Sequence, residues 1–223
     1  MDFRHEWKHE INLSDVITLR QRLRAVTQPD EHTADGRYDI RSLYFDSLSD
    51  KALREKLDGV NIREKFRIRY YNGDTSCIRL EKKYKKGSLG NKTNALLTKK
   101  EAQEIINAHY DWMPKHPDAL IRELYTKITT QGLRPKTIVD YTREPYIYPP
   151  GNVRVTIDYN IRTGLSHTDF LNPGCPTIPI KESPFILEVK WDAWLPDIIR
   201  NAVQLENRRC TAFSKYAACR MYD

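Results

Sequence analysis

The 223-residue chain contains no long apolar run. No segment approaches the roughly 18 apolar residues of a membrane-spanning helix, and residues 1–6 lack the apolar stretch of a signal peptide. The four cysteines form no C-x-x-C pair, and the chain is too poor in cysteine for a disulfide scaffold. We therefore expect a cytoplasmic protein with reduced thiols and no membrane span of its own.

Charged residues, in contrast, make up 30% of the chain. Lysine and arginine number 37 against 30 acidic residues, so the formal net charge is +7. A basic surplus favours an anionic partner, which could be nucleic acid, a phosphate compound or an acidic membrane surface. The 39% of hydrophobic residues suffices for a core, and no shift in composition marks a domain boundary. Residues 1–223 are expected to form one domain.

Hydrophobic periodicity and turn signals predict a mostly antiparallel β protein with helical inserts. Asn72-Gly73-Asp74 is a strong hairpin signal, and Thr98-x-x-Glu101 is a capping box. The expected strands cover 3–11, 38–46, 62–71, 76–84, 136–144, 152–161 and 184–191. The expected helices cover 14–26, 50–57, 98–109 and 117–130, with a helical C-terminus after Pro196. The segment 85–97, rich in Lys, Gly and Asn, is expected to be a loop with at most one short strand.

Basic residues recur on one face of these strands, because residues two apart share a face. The charged residues that share a strand face are Arg4, Glu6 and Lys8; Arg63, Lys65, Arg67 and Arg69; Arg79, Glu81 and Lys83; Arg154 and Asp158; and Glu188 and Lys190. Arginine suits bidentate phosphate contacts, and carboxylates suit a hard divalent cation. The simplest alternative is an antiparallel sheet whose charged face lies in water.

An antiparallel sheet closed into a barrel of about eight strands can enclose one elongated ligand. If the charged faces point inward, they form a basic tunnel, and a chain of phosphates with a metal ion would offset its repulsion. The predicted fold class is α+β, an antiparallel β-barrel tunnel of about eight strands with helices packed on the outside.

The order of several short motifs resembles the VTC domain of polyphosphate polymerases, within the triphosphate tunnel metalloenzyme (CYTH-like) superfamily. The motifs are Arg4-x-Glu6-x-Lys8, Ser42-Leu43-Tyr44-Phe45-Asp46, Lys65-x-Arg67-x-Arg69-Tyr70, Arg79-Leu80-Glu81-x-Lys83, Tyr141-x-Arg143, Val153-Arg154-Val155-Thr156-Ile157-Asp158, Leu187-Glu188-Val189-Lys190 and Phe213-Ser214-Lys215-Tyr216. The superfamily has Glu-x-Glu-x-Lys on its first strand. Arg4 replaces the first glutamate here, which suits polymer binding better than a two-metal triphosphatase.

The resemblance implies transfer of the γ-phosphoryl group of ATP to a growing polyphosphate chain. It also implies a divalent metal, Mn²⁺ first and Mg²⁺ second. The catalytic residues that it implies are Lys8, Arg67, Arg69, Lys83, Arg143 and Arg154. The implied substrate-binding residues are Lys65, Lys92, Lys190 and Lys215. Glu188 is the implied metal ligand, and Glu81 either assists it or pairs with a neighbouring cation. The expected partners are ATP and polyphosphate, without nucleic acid, and membrane association would need a partner protein.

Three alternatives remain open at this stage. The same tunnel could hydrolyse triphosphate or bind polyphosphate without catalysis. His5-Glu6-Trp7-Lys8-His9 matches the H-E-x-x-H zinc-protease signature, which requires a helix. The basic strands could also bind nucleic acid, although the interspersed carboxylates would repel its backbone. Five lysines could form a basic funnel at a tunnel mouth or simply a solvated surface: Lys82, Lys85, Lys86, Lys99 and Lys100.

Overall fold

One antiparallel sheet runs through the computed structural model, which describes residues 3–30, 33, 35–87, 89–181 and 183–222. The strands in this part of the chain are β1 (His5–Ile11), β2 (Gln28–Pro29), β3 (Tyr38–Asp46), β4 (Ile62–Tyr71), β5 (Asp74–Lys86), β6 (Leu89–Leu97), β7 (Arg134–Tyr148), β8 (Val153–Thr163), β9 (Ile178–Pro179) and β10 (Phe185–Trp191). The main strand order is β1-β10-β8-β7-β3-β4-β5-β6, and the two short strands β2 and β9 pair with β7 and β8.

The sheet curls until its two outermost strands meet. Arg4 and Gly90 form an isolated antiparallel bridge, with N···O distances of 3.1 and 3.2 Å. The sheet is therefore curled around an interior and joined at a bridge, without a continuous ladder between β1 and β6. The predicted fold class, an α+β tunnel built from an antiparallel sheet, is confirmed.

The helices in the described part of the chain are α1 (Leu13–Val26), α2 (Lys51–Leu57), α3 (Lys99–Ile106), α4 (Ala119–Gln131), α5 (Asp197–Ala202) and α6 (Lys215–Cys219). Both α1 and α3 begin with a capping box, at Asn12–Asp15 and Thr98–Glu101. The outer face of the sheet is apolar and packs against α3 and α4 on one side and against α1 and α5 on the other. This burial supplies most of the driving force for wrapping the sheet.

Two short helices, α2 and α6, lie on the concave side instead of the outside. The buried carboxylate of Asp46 accepts hydrogen bonds from the N–H groups of Ala52 (2.8 Å) and Leu53 (3.1 Å), at the start of α2. It also accepts one from the hydroxyl of Tyr216 in α6, at 2.6 Å. The Tyr216 ring stacks on Tyr44, an inward-facing residue of β3, with 4.9 Å between centroids. Asp46 thus fixes both helices against the interior.

The largest secondary-structure error concerns residues 85–97. The expected loop is wrong, because β6 pairs with β5 from Leu89 opposite Lys86 to Leu97 opposite Ile78. Ala95 and Leu97 are buried in the outer core, so tertiary pairing overrides the polar composition. The predicted hairpin at Asn72-Gly73 has both residues at positive φ, 51° and 73°, as a tight antiparallel connection requires.

Among the described residues, no helix combines the length and the apolar character that crossing a bilayer would require.

Candidate functional site

The curled sheet encloses a cavity of about 330 Å³. Alternation along five strands aims charged side chains into it, a sixth strand, β3, contributes Tyr44, and α2 and the segment 211–216 complete the wall. Two carboxylates line the cavity, Glu6 and Glu188, against ten basic side chains. The basic residues are Lys8, Lys56, Arg63, Lys65, Arg67, Lys83, Lys85, Arg143, Lys190 and Lys215. The interior is therefore strongly positive.

Glu6 lies among four of these lysines. Lys83 and Lys85 place Nζ at 2.9 Å from its carboxylate oxygens, and Lys8 and Lys190 lie at 3.7 Å. The side chain is only 5% exposed. Burial by itself would raise the pKa of Glu6, but the lysines, Lys83 foremost, outweigh it and keep the pKa far below its usual range. Glu6 is thus ionised and draws lysines from three strands together.

Glu188 provides the second carboxylate of the cavity wall. It lies directly opposite Lys8 in the β1–β10 pairing, and the Lys8 Nζ atom is 3.7 Å from its Oε2. Lys190 also pairs with it, and Arg143 Nη2 is 3.8 Å away. Glu6 and Glu188 therefore share Lys8 and Lys190 as common neighbours.

Asp158 lies behind this wall with a side chain that is 0% exposed. Arg143 donates to it through Nε (2.6 Å) and Nη2 (2.7 Å), and Lys215 donates at 2.5 Å. Burial opposes the charge of Asp158, but Arg143 and Lys215 hold its pKa well below the usual range. Asp158 thereby fixes two basic groups of the cavity wall from behind.

Burial, together with repulsion from neighbouring cations, lowers the pKa of several lysines. Burial, followed by repulsion from Lys56 and Lys83, lowers the pKa of Lys65 to about 7. Burial also dominates at Lys83, where the pKa falls to about 7 although Glu6 opposes the change. The pKa of Lys190 is likewise lowered well below its ordinary value by burial. When no anion is bound, protonation of these buried lysines is therefore energetically unfavourable.

The paired arginines of β4 occupy different depths. Arg67 lines the cavity, donating to Glu81 Oε2 (2.8 Å) and to the Tyr44 hydroxyl (2.6 Å). Arg69 is 3% exposed, donates to Ser42 and Tyr141, and is not among the described residues that line the cavity. Only Arg67 of the two is therefore placed to contact a ligand in the cavity.

Glu81 pairs with Lys92, whose side chain is 48% exposed, at an Nζ–Oε1 distance of 3.1 Å. Glu81 is 1% exposed and also bonds Arg67, so the structure favours pairing with cations over the predicted metal role. Lys92 is not among the described lining residues either, which is a correction to its predicted contact with substrate. Burial of Glu81 between its partners leaves no open oxygen facing the cavity.

Arg154 is the fourth predicted site residue, after Arg69, Glu81 and Lys92, that is not among the described residues lining the cavity. Its Nη2 atom donates to Asp30 Oδ2 (2.8 Å) and to the Tyr38 hydroxyl (2.7 Å). Arg154 is absent from the described lining residues. The strand pattern correctly gave its face, but alternation gives no position along the axis of the interior.

Four charged lining residues were missing from the predicted site: Glu6, Lys56, Arg63 and Lys85. Glu6 stands inside the Arg4-x-Glu6-x-Lys8 motif, and Arg63 lies two residues before Lys65 on the same strand face, so both carried a signal. Lys56 lies on α2, and nothing in the strand pattern points to it. Of the five lysines considered for a funnel, only Lys85 is among the described lining residues.

The zinc-protease interpretation is wrong because His5 and His9 lie on the strand β1 and not on a helix. His5 stacks on Trp191 on the outer face, with ring centroids 5.3 Å apart. Among the described residues, no group of three or more His, Cys, Asp or Glu side chains is arranged to hold a metal.

A divalent ion shared with phosphate needs fewer protein ligands. Mg²⁺-like ions retain waters and bind one or two carboxylates together with substrate phosphates. Glu6 and Glu188 supply two carboxylates on the wall of the cavity, beside the same lysines. This donor set fits an ion that arrives with a phosphate ligand and does not form an all-protein cage.

A curled antiparallel sheet around a basic interior defines the triphosphate tunnel, or CYTH-like, class of fold. The sequence matches the model of the VTC domain over residues 3–222. The chain therefore belongs to the VTC domain family. A comparison with curated proteins finds no significant match.

Solved structures show the same fold at low sequence identity. A protein from Hippeastrum, described as revealing a dominant triphosphatase activity, is 13% identical with a TM-score of 0.58, covering 100% of this chain and 96% of its own. A candidate adenylate cyclase from Bacillus halodurans is also 13% identical, with a TM-score of 0.52, and the match covers 85% of this chain and 80% of the other. These likenesses establish the architecture.

Proposed function

We propose that this protein is a polyphosphate polymerase that transfers the γ-phosphoryl group of ATP to a growing polyphosphate chain inside the basic cavity. The observation that carries the proposal is the wall of ten basic side chains and two carboxylates, in a member of the VTC domain family. A linear chain of phosphates presents repeated negative charge to such a wall. A neutral metabolite would leave the repulsion among these cations unrelieved.

The electrostatics of the cavity support an anionic ligand. Lys65 and Lys83 have a pKa of about 7 because burial and neighbouring cations disfavour their protonated forms. Phosphate groups beside them would reverse both effects and restore their charge. Protonated Lys65 and Lys83 are unfavourable in the free protein, but they would contribute to the binding free energy of a phosphate ligand.

Phosphoryl transfer depends mainly on positioning and on charge neutralisation. Arg143 and Lys215 are held by Asp158 before any ligand arrives, so they need not reorganise as charge develops on the phosphate oxygens. Lys8 lies between Glu6 and Glu188 without a short bond to either, which leaves its ammonium group free to contact a phosphate. Glu188 and Glu6 would hold a divalent ion, proposed to be Mn²⁺ with Mg²⁺ as the alternative, whose charge offsets that of the phosphates.

The acceptor in this proposal is the terminal phosphate of the growing chain. It is already deprotonated near neutral pH, so the cavity needs no strong general base to activate it. The wall supplies the cations and carboxylates that this chemistry needs. ATP as phosphoryl donor agrees with the proposed cytoplasmic location.

The test is to incubate the protein with ATP and Mn²⁺, and to measure chain length on a gel together with free phosphate. We expect acid-labile polymer and ADP in proportion. Free phosphate without chain growth would contradict the polymerase proposal. Lys99→Gln is a suitable control because Lys99 is exposed on α3, away from the cavity.

Triphosphate hydrolysis is the second candidate, favoured by the structural likeness to the Hippeastrum protein with its described triphosphatase activity. Water could use the same cationic wall in place of an acceptor phosphate. Release of phosphate from tripolyphosphate, with no polymer from ATP, would select this function. Tight binding of polyphosphate without any turnover would instead indicate a binding domain.

A further inference from the structure

The cations of the cavity fall into two groups according to their acidic neighbours. The paired group consists of residues that each contact a carboxylate: Lys8, Lys83, Lys85 and Lys190 with Glu6 or Glu188, Arg143 and Lys215 with Asp158, and Arg67 with Glu81. Part of the positive charge of this group is balanced within the protein. A divalent ion, proposed above to lie at Glu6 and Glu188, would sit within the same group.

The second group, called the unpaired cluster here, consists of Lys56, Arg63 and Lys65, which all line the cavity. Arg63 donates to the carbonyl oxygen of Val60 (2.6 Å), and Lys65 lies 3.4 Å from the Ser214 hydroxyl. Within the described part of the chain, none of the three forms an ion pair with a carboxylate. Repulsion from Arg63, in addition to burial, lowers the pKa of Lys56.

The acidic residue next to Lys56 in the sequence does not balance it. Glu55 pairs with Lys51 at 2.6 Å, one turn earlier on α2. The unpaired cluster therefore concentrates positive charge at one place on the wall, beside the lysines of the paired group, and only the more distant carboxylate of Asp46 opposes this charge at Lys65. Such a concentration is unfavourable in the free protein and calls for an external anion.

The unpaired cluster lies near the opening of the cavity. Lys56 and Arg63 are themselves only partly buried, and residues 57–62, which connect them, are all exposed. A phosphate chain that begins among the paired group and continues toward solvent on this side would pass Lys65, Arg63 and Lys56. Phosphates held by these three residues, and not by Glu6 and Glu188, would carry no divalent ion, and their full charge would meet cations that form no ion pair among the described residues.

We propose that Lys56, Arg63 and Lys65 form a subsite for the metal-free phosphates of an inorganic polyphosphate longer than a triphosphate. The inference rests on the proposed function in that both place a phosphate chain in the cavity. It adds a direction: the reacting end lies at Glu188 and Lys8, and the remainder of the chain leaves past α2. The subsite thereby selects for chain length and not for the reacting group.

The test compares two probes on the intact protein without divalent metal at fixed ionic strength: tripolyphosphate, and polyphosphate of about 14 phosphates. The variant is Lys56→Gln/Arg63→Gln. The matched control, Lys99→Gln/Lys100→Gln, removes the same charge from the exposed start of α3. We expect calorimetry to show affinity for the long chain at least about tenfold weaker in the first variant, since two charge-assisted contacts with phosphate are lost. Tripolyphosphate affinity should change less than about threefold.

Equal weakening toward both probes, or no weakening toward the long chain, would overturn the subsite. An equal response of the matched control would also overturn it, since the effect would then come from net charge. Unchanged tripolyphosphate affinity in the variant reports that the fold is retained. Lys56→Gln alone, which removes one cation of the cluster, provides a milder form of the test. A negative polymerase assay would contradict the proposed function even if the chain-length effect is observed. Polymer formation without a chain-length effect would contradict only the subsite, so the two proposals are tested separately.

Discussion

Lys215, near the end of the chain, donates a hydrogen bond to the fully buried carboxylate of Asp158 in β8, at 2.5 Å. The contact brings α6 onto the inner face of the sheet and aims a lysine into the cavity. Arg143 donates to the same carboxylate through two nitrogens. One acidic residue behind the wall thus orients two cations in front of it.

Asp158→Asn should destabilise the fold strongly. The substitution keeps the size of the side chain but leaves Arg143 and Lys215 without their counter-charge in a buried place. Removal of one partner from a buried ion pair costs about 3–5 kcal/mol. Urea denaturation should show a loss in the free energy of unfolding within that range.

Asp192→Asn provides the matched control for that measurement. Asp192 pairs with Arg4 at 2.7 Å, but its side chain is 47% exposed. An exposed pair contributes up to about 1 kcal/mol. Similar losses in both variants would show that burial of Asp158 has no special importance.

The free protein should gain stability as the pH rises from about 7 to about 10. Lys65 and Lys83 have a pKa of about 7 when folded, against about 10.4 in an unfolded chain. The unfolded state binds more protons across this interval, so the free energy of unfolding increases with pH. Glu6, Glu81 and Asp158 titrate far below the interval and do not contribute.

Thermal denaturation over that pH range measures the effect, and we expect an increase in Tm of at least about 2 °C. Lys65→Gln should reduce the increase because it removes one of the lysines whose pKa is lowered by folding. Stabilisation by tripolyphosphate should shrink at the same time, since the lysines lose their charge. A flat or falling Tm in the free protein would contradict the described crowding of cations.

Lys8→Gln should lower turnover by about 10²–10³-fold, the usual effect of removing one preorganised group that neutralises charge in a transition state. The substitution should leave the fold intact because Lys8 makes no short ion pair, at 3.7 Å from both Glu6 and Glu188. Polymer formation and phosphate release should both be followed, so that the result holds for either reaction. Rates within threefold of the unaltered protein would remove Lys8 from the site.

Affinity for tripolyphosphate should fall steeply with salt. The Debye length shortens from about 10 Å at 0.1 M to about 3 Å at 1 M, which screens contacts at the open side of the cavity. Titrations at several salt concentrations, with the metal concentration fixed, measure the slope. A flat response would contradict binding by several ionic contacts.

Strand periodicity was enough to predict the inward faces of the sheet. Lys65 and Arg67 share a face, as do Glu188 and Lys190, and the structure aims all four into the cavity. The reason is physical: the two-residue period of a strand is fixed by backbone geometry, whatever the strand pairs with. The resemblance of the motifs then supplied the family.

Depth along the interior could not be predicted in the same way. Arg67 and Arg69 lie on one face of one strand, yet only Arg67 lines the cavity among the described residues, because Arg69 is enclosed by Ser42 and Tyr141. Such a difference depends on partners from distant strands. The same is true of Arg154, whose partner Asp30 lies 124 residues away, and of Lys56, which reaches the cavity from a helix.

A crystal structure of the protein with tripolyphosphate and Mn²⁺ tests the central claim most directly. We expect phosphate density inside the curled sheet, in contact with Lys8, Arg143 and Lys215, and an anomalous manganese peak at Glu188. Phosphate bound only on the outer surface, with the cavity filled by water and manganese away from Glu188, would contradict the account.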